Sequence, residues 1–113
     1  MPENATTDLA ARKCEPCEAG TPAVKGEELR RLHAQLDGWI LANEHHLEKE
    51  YRFPDFRQAL SFVNRLGEVA EQEGHHPDIF LTWGKVKVTL WTHSVGGLSQ
   101  NDFILAAKAD QLR

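Results

Sequence analysis

Little in this sequence points to a staple, an anchor or a grip on phosphate. The only cysteines are Cys14 and Cys17, and a disulfide between them would close a tiny loop with little gain in chain entropy, so a secreted disulfide scaffold is not indicated. No stretch approaches the roughly 20 consecutive apolar residues of a membrane span, and the amino terminus lacks the basic-then-apolar order of a secretory signal, so the expected address is the cytoplasm. Positive charge is not in excess. Thirteen Lys and Arg against 17 Asp and Glu give a formal charge of −4, which argues against general binding to nucleic acid or to anionic membrane surfaces. A Gly-rich phosphate loop, a nucleophile elbow and an EF-hand are all missing, which removes most support for those enzyme classes.

What is present suits one compact domain: 113 residues, 41% of them hydrophobic, are enough for one core and too few for two ordinary ones. Residues 1–21 are rich in Glu, Ala, Thr and Pro without an apolar period, and are expected to form a loose tail ahead of a single domain over residues 22–113. Leu29, Leu32 and Leu36 recur at helical spacing before Asp37-Gly38, which predicts a short first helix. Trp39 to Leu41 and Leu47 to Phe53 alternate as strands, with Leu47, Lys49, Tyr51 and Phe53 on one face and a turn near Asn43 and Glu44. Pro54-Asp55 opens the longest helical pattern, through Phe56, Ala59, Leu60, Val63, Leu66, Gly67 and Ala70 to a stop at Gly74. Ile79 to Trp83 and Lys85 to Thr92 read as two strands joined near Gly84, with Val86, Val88 and Leu90 facing inward. Ser99 followed by Asp102 has the form of a capping box, opening a helix over Phe103 to Leu112 that is apolar on almost every side and asks for cover, from another subunit if not from this chain. The order helix-strand-strand-helix-strand-strand-helix predicts an α+β fold, a four-stranded antiparallel sheet with three helices packed on one face.

The chemistry-bearing residues are histidines. His75 and His76 follow Gly74 and precede Pro77, which biases His76 toward extended backbone and sends the adjacent side chains in different directions. By alternation His93 shares the face of Lys85, Lys87, Thr89 and Trp91 rather than that of the core valines. Glu71, four residues before His75, is placed to hydrogen-bond an imidazole, and Asp102 joins the group if the last helix starts close to His93. Taken singly each has a plain structural reading: a surface His-His pair is often only solvated, Glu71 is an ordinary exposed helix charge, and Asp102 is a cap. His33, His45 and His46 lie among charged residues and read as surface histidines. Cys14 and Cys17 have the spacing of half a zinc site. The chain has no second Cys-x-x-Cys, however, and His75, His76 and His93 lack a carboxylate at a recognised metal-ligand spacing, so no metal is expected.

The combined spacing is what lifts the histidines above those readings: Glu71-Gln72-Glu73-Gly74-His75-His76-Pro77, five residues, Trp83, nine residues, His93, eight residues, Asp102. It resembles the active-site signature of the pterin-4a-carbinolamine dehydratases, called dimerization cofactor proteins in animals, with every fixed position filled. Weaker similarity runs from about Leu29, through Gly38-Trp39, to Leu112. The resemblance implies a hydro-lyase acting on 4a-hydroxy-tetrahydrobiopterin, a pterin-4a-carbinolamine, to give quinonoid dihydropterin without a cofactor, in tetrahydropterin recycling for an aromatic amino-acid hydroxylase. His75, His76 and His93 would be its acid–base groups, with Glu71, Pro77, Trp83 and Asp102 binding or orienting. It also implies a homodimer or homotetramer. Val95 stands where animal members have cysteine and Asn101 where they have arginine, while the Cys14-Cys17 tail is similar to that of some bacterial members. Animal members also stabilise a dimeric transcription factor, so the alternative is a non-catalytic binding or assembly protein of the same fold, or another pterin-linked role.

Overall fold

The structure, a computed structural model, describes residues 9–16 and 20–113. Its elements are helix α1 (Gly26–His33), strands β1 (Ile40–Ala42) and β2 (His46–Arg52), helix α2 (Phe56–Glu73), strands β3 (Asp78–Thr82) and β4 (Lys85–Leu90), a 3-10 turn (His93–Val95) and helix α3 (Gln100–Leu112). The four strands form one antiparallel sheet in the order β1-β2-β4-β3. This is the expected α+β architecture, and residues 9–11 add a helical turn to the three helices. No helix among the described residues is long and apolar enough to cross a membrane.

Local chemistry accounts for the breaks. Asn43 and Glu44 both take left-handed backbone (φ 55) and the His45 N–H closes on the Ala42 carbonyl at 2.9 Å, a reversal whose twist suits a β-hairpin. Asp55 caps α2 by accepting the Gln58 amide at 2.8 Å, and Gly74 ends it with φ 68, a conformation glycine takes without a Cβ penalty. Between β3 and β4 a Cβ on Gly84 would come within 2.8 Å of the Phe53 carbonyl, so the close approach of these two segments requires glycine.

Inside, register decides which residues meet. Leu47 lies opposite Leu90, and Tyr51 opposite Val86; Val86, Val88 and Leu90 have no exposed surface. From α2 the buried residues are Ala59, Phe62, Leu66 and Ala70. The helical period holds, but the buried stripe is rotated from the expected one: Phe62 is in the core while Phe56 and Leu60 are 43% and 39% exposed. Two adjacent apolar stripes satisfy the same spacing, and the position of the sheet selects between them.

Helix α3 is the centre of the fold, with Asn101 to Ala107 and Ala109 all buried. Part of its cover comes from the chain's own amino-terminal segment, where Leu9 has no exposed surface and Ala10 is 8% exposed. That differs from the loose tail expected of residues 1–21, for the portion described; a lone leucine has no period by which to announce its burial. Cys17 lies outside the described residues. At the far end of α3, Asp110 gathers the Trp39 indole N–H at 3.2 Å, the Lys49 ammonium at 2.8 Å and the Tyr51 hydroxyl at 2.5 Å. Lys49 can sit on the inner face because its stem runs beside the Trp39 and Tyr51 rings while its ammonium reaches the Asp37 carbonyl and Asp110.

Burial, and then the hydrogen bond to Asp110, push the Tyr51 hydroxyl well above its usual value of 10. The folded chain therefore keeps this proton when the unfolded chain has lost it, so the contribution to stability is whole below about pH 10 and falls as pH rises further. Urea denaturation between about pH 9 and pH 11 should show Tyr51→Phe losing stability with pH less steeply than wild type, by up to about 1.4 kcal/mol per pH unit. Equal slopes would mean that the phenol ionises as readily folded as unfolded.

Candidate active site

Three elements converge at the end of the sheet away from Asp110. Gly74 turns the chain back at the end of α2, the His75 N–H closing on the Ala70 carbonyl at 3.2 Å, and the two histidines leave that turn toward different partners. His75 Nε2 lies 2.6 Å from Asp102 Oδ1, with side-chain exposures of 12% and 0%. His76 Nε2 lies 2.6 Å from Glu71 Oε2, both groups being exposed. The spacing of four residues suggested Glu71 for an imidazole, and it takes that of His76; past Gly74 the chain is no longer helical, so four-residue spacing does not choose between the two rings. Each pairing puts the proton on Nε2 and leaves Nδ1 as the nitrogen open to other chemistry.

Asp102 is held as firmly as it holds. It forms a capping box with Ser99: its Oδ2 accepts the Ser99 N–H at 2.9 Å and the Thr92 hydroxyl at 2.8 Å. A threonine has one hydroxyl proton, so with that proton on Asp102 the 2.8 Å contact between Thr92 and Ser99 is donated by serine. The carboxylate thus closes the N-terminus of α3, fixes the end of β4 and orients His75.

His93 opens the 3-10 turn after β4 and stacks on Trp91, with ring centroids 3.8 Å apart and planes at 21°. His45 tilts against the same indole at 4.6 Å, and His46 beyond it bonds Glu48 at 2.8 Å; the hydrogen bond to His46 is the main influence holding the Glu48 carboxyl below its usual range. His75, His76 and His93 line one cleft of about 550 Å³, together with Pro77, Asp78, Trp91 and Asn101. Glu15 and Pro16 of the amino-terminal segment also line it. A second cleft of about 570 Å³, around Lys49 and Asp110, contains no histidine.

The cleft therefore brings together His75, His76, His93 and Pro77, with Asp102 bonded to His75 and Glu71 to His76. Trp83 is placed elsewhere, in the turn between β3 and β4, 64% exposed, and the aromatic wall is Trp91. Thr92, Trp91 and the segment at Glu15 were not singled out by sequence. For Thr92 a signal existed: continuing the alternation of Val86, Val88 and Leu90 puts its hydroxyl on the buried face, where it needs a partner. Among the described residues no group of three or more His, Cys, Asp or Glu side chains is arranged to hold a metal ion.

Comparison with known proteins identifies the family. The family model described as "Pterin 4 alpha carbinolamine dehydratase" matches residues 22–112, and the chain belongs to that family. A protein of Rubrobacter xylanophilus named "Putative pterin-4-alpha-carbinolamine dehydratase" is 52% identical over 106 residues, covering 94% of this chain and 99% of its own. One of the same name from Alkaliphilus metalliredigens is 51% identical over 105 residues, covering 92% and 95%. Both matches extend beyond the residues of the family match, into the amino-terminal segment. A transcriptional coactivator/pterin dehydratase from Brucella melitensis superposes with a TM-score of 0.75 at 30% identity, over 80% of this chain and 97% of its own. The fold also matches, with a TM-score of 0.58 at 24% identity over 67% of this chain and 89% of its own, a pterin dehydratase-like protein identified as a RuBisCO assembly factor.

If Asp102 carries both cap and site, its loss must cost the fold as well. Thr92→Val, which removes one donor and strands the Ser99 hydroxyl, should cost about 1–2 kcal/mol of stability. Asp102→Ala should cost more, roughly 3 kcal/mol, since a cap and the partner of a half-buried imidazole go together. Urea midpoints at unchanged denaturant slope are the measure, and an Asp102→Ala protein as stable as wild type would separate the carboxylate from the fold.

Proposed function

We propose that this protein dehydrates 4a-hydroxy-tetrahydropterins, and 4a-hydroxy-tetrahydrobiopterin in particular, to the quinonoid dihydropterin by histidine acid–base catalysis. The observation that carries the reading is the convergence of three histidines on one cleft, two of them braced by carboxylates. In the reaction the C4a–O bond breaks, the hydroxyl leaves as water with a proton from a general acid, the N5 lone pair forms the C4a=N5 bond, and the N5 proton goes to a general base. One proton is given and one taken, so the protein ends the cycle unchanged. Imidazole suits both duties because its ordinary pKa lies near the working pH, and nothing in the sequence of bonds requires a metal or redox partner.

In this reading His75, His76 and His93 bind the substrate and move its protons. Asp102 and Glu71 hold the tautomers of His75 and His76, and Pro77 shapes the wall beside them. Trp83, outside the cleft of the single chain, has no contact there from which to act. The substrate would be supplied by an aromatic amino-acid hydroxylase that uses the reduced pterin. Self-association as a dimer or tetramer is supported by Ile40 and Phe80, 61% and 59% exposed on the two edge strands, and by Phe56 and Leu60 on α2. The non-catalytic alternative draws on the coactivator and assembly-factor relatives. It leaves unexplained why His75 should be held by a buried aspartate.

Stopped-flow absorbance on enzymatically generated 4a-hydroxy-tetrahydropterin tests the proposal. Wild type should accelerate water loss before and after chelator treatment, and His75→Ala and His93→Ala should each lose about 100-fold or more of that acceleration while remaining folded. Asp102→Asn, which keeps an acceptor but can present an amide N–H to the imidazole, should lose activity well beyond its loss of stability. A wild-type rate equal to the spontaneous one would turn the reading toward binding or assembly.

A further inference from the structure

The amino-terminal segment is strapped along α3 by side chains rather than by sheet or helix bonding. Lys108 Nζ donates to the Ala10 carbonyl at 2.8 Å and pairs with Glu73 at 3.7 Å. Glu73 Oε1 in turn accepts the Cys14 N–H at 2.8 Å. Two helical turns toward the start of α3, Asn101 takes the backbone of Glu15 from both sides: its Oδ1 accepts the Glu15 N–H at 2.9 Å and its Nδ2 donates to the Glu15 carbonyl. An amide used this way replaces a strand partner, and it fixes the chain path of Glu15 and not merely its side chain. With Leu9 fully buried, the segment is anchored at one end in the core and clamped at the other beside the histidines.

The points of attachment are not arbitrary. Glu73 precedes His75 by two residues and Asn101 immediately precedes Asp102, so the strap is tied next to both members of the buried pair. Its clamped end, Glu15 and Pro16, faces the cleft that holds His75, His76 and His93. The family match begins at residue 22, so this wall lies outside the matched residues.

We propose that Glu15 and Pro16 form one wall of the pterin site and that Asn101 and Lys108, by clamping the strap of residues 9–16 that carries them, are positioning residues that set substrate affinity. The proposal rests on the pterin-dehydratase reading for the identity of the ligand. A wall ordered before the ligand arrives spares binding the cost of ordering it, and such a wall touches substrate and transition state alike. Its loss should therefore raise KM far more than it lowers kcat.

Two variants separate the strap from a direct contact. Asn101→Ala opens the clamp inside the cleft, whereas Lys108→Met keeps the stem of a residue that does not line the cleft and releases only the remote tie. Fluorescence titration with a 7,8-dihydropterin, which lacks the 4a-hydroxyl and cannot react, should give Kd values about fivefold or more higher for Asn101→Ala and about threefold higher for Lys108→Met, with KM for dehydration moving in parallel and kcat falling by less than about threefold. Hydrogen exchange should show the Glu15 amide exchanging faster in Asn101→Ala and the Cys14 amide faster in Lys108→Met. Weaker binding in Asn101→Ala alone, with Lys108→Met at the wild-type Kd despite a released strap, would overturn the proposal by making the effect Asn101's own. So would unchanged exchange at Glu15 in Asn101→Ala. A wild type that binds the dihydropterin without dehydrating, and weakens in both variants, would sink the catalytic reading and leave the strap standing.

Discussion

The histidine end of this molecule is organised around one buried carboxylate. Asp102 has no exposed surface, and a carboxylate in that position is tolerable only when its lone pairs are met. They are met by the first turn of α3, by the end of β4 through Thr92 and by His75. Because those three donors belong to three separate elements, satisfying the aspartate fixes where the elements end relative to one another. The orientation of the imidazole follows from the same requirement that closes the helix. The Glu71–His76 pair is different in kind: both side chains are largely in water, where an ion pair adds little to stability, so its contribution is to the direction of one ring.

Helix α3 shows what such pairing permits. A helix buried on nearly every side has no polar face on which to set its polar residues, yet Asn101, Asp102, Lys108 and Asp110 all lie within it. Each is turned to a task that joins distant parts of the chain. Asp110 draws Trp39, Lys49 and Tyr51 of the sheet side together, Asp102 draws the site together, and Asn101 and Lys108 hold the amino-terminal strap. The apolar surface of α3 looks in sequence like a face awaiting another subunit. Within this chain much of it is already covered, and the exposed large apolar residues lie instead on β1, β3, α2 and, as Trp83, in the turn between β3 and β4.

The element order, the sheet face of Val86, Val88 and Leu90, the stops at Gly74 and Asn43-Glu44 and the capping box were legible in sequence, because each is set by chemistry within a few residues. The gathering of His75, His93 and Asp102 was legible only through the spacing of a whole motif. Choices that depend on the third dimension were not. Phe62 and Phe56 occupy neighbouring stripes of α2 with equal claims to the core until the sheet is in place. The pairing of His75 with Asp102 and His76 with Glu71 is decided by the left-handed turn at Gly74, after which helical spacing says nothing. Ala10 and Glu15 meet residues more than eighty positions away, and no local pattern records such a contact.

The three histidines differ in the way each is held, and under the proposed reaction that difference matters more than their shared identity. His75 and His76 each have Nε2 engaged by a carboxylate, which fixes the tautomer as well as the ring. His93 is held by the face of Trp91, and a stacked ring fixes a plane without choosing which nitrogen carries the proton. A dehydration that must give a proton to oxygen and take one from nitrogen needs groups with definite proton positions and a group that can accept on one nitrogen while donating from the other. Two carboxylate-braced imidazoles and one stacked imidazole around a single cleft supply that combination, and replacing Trp91 by an aliphatic residue would remove the plane while leaving all three histidines in the sequence.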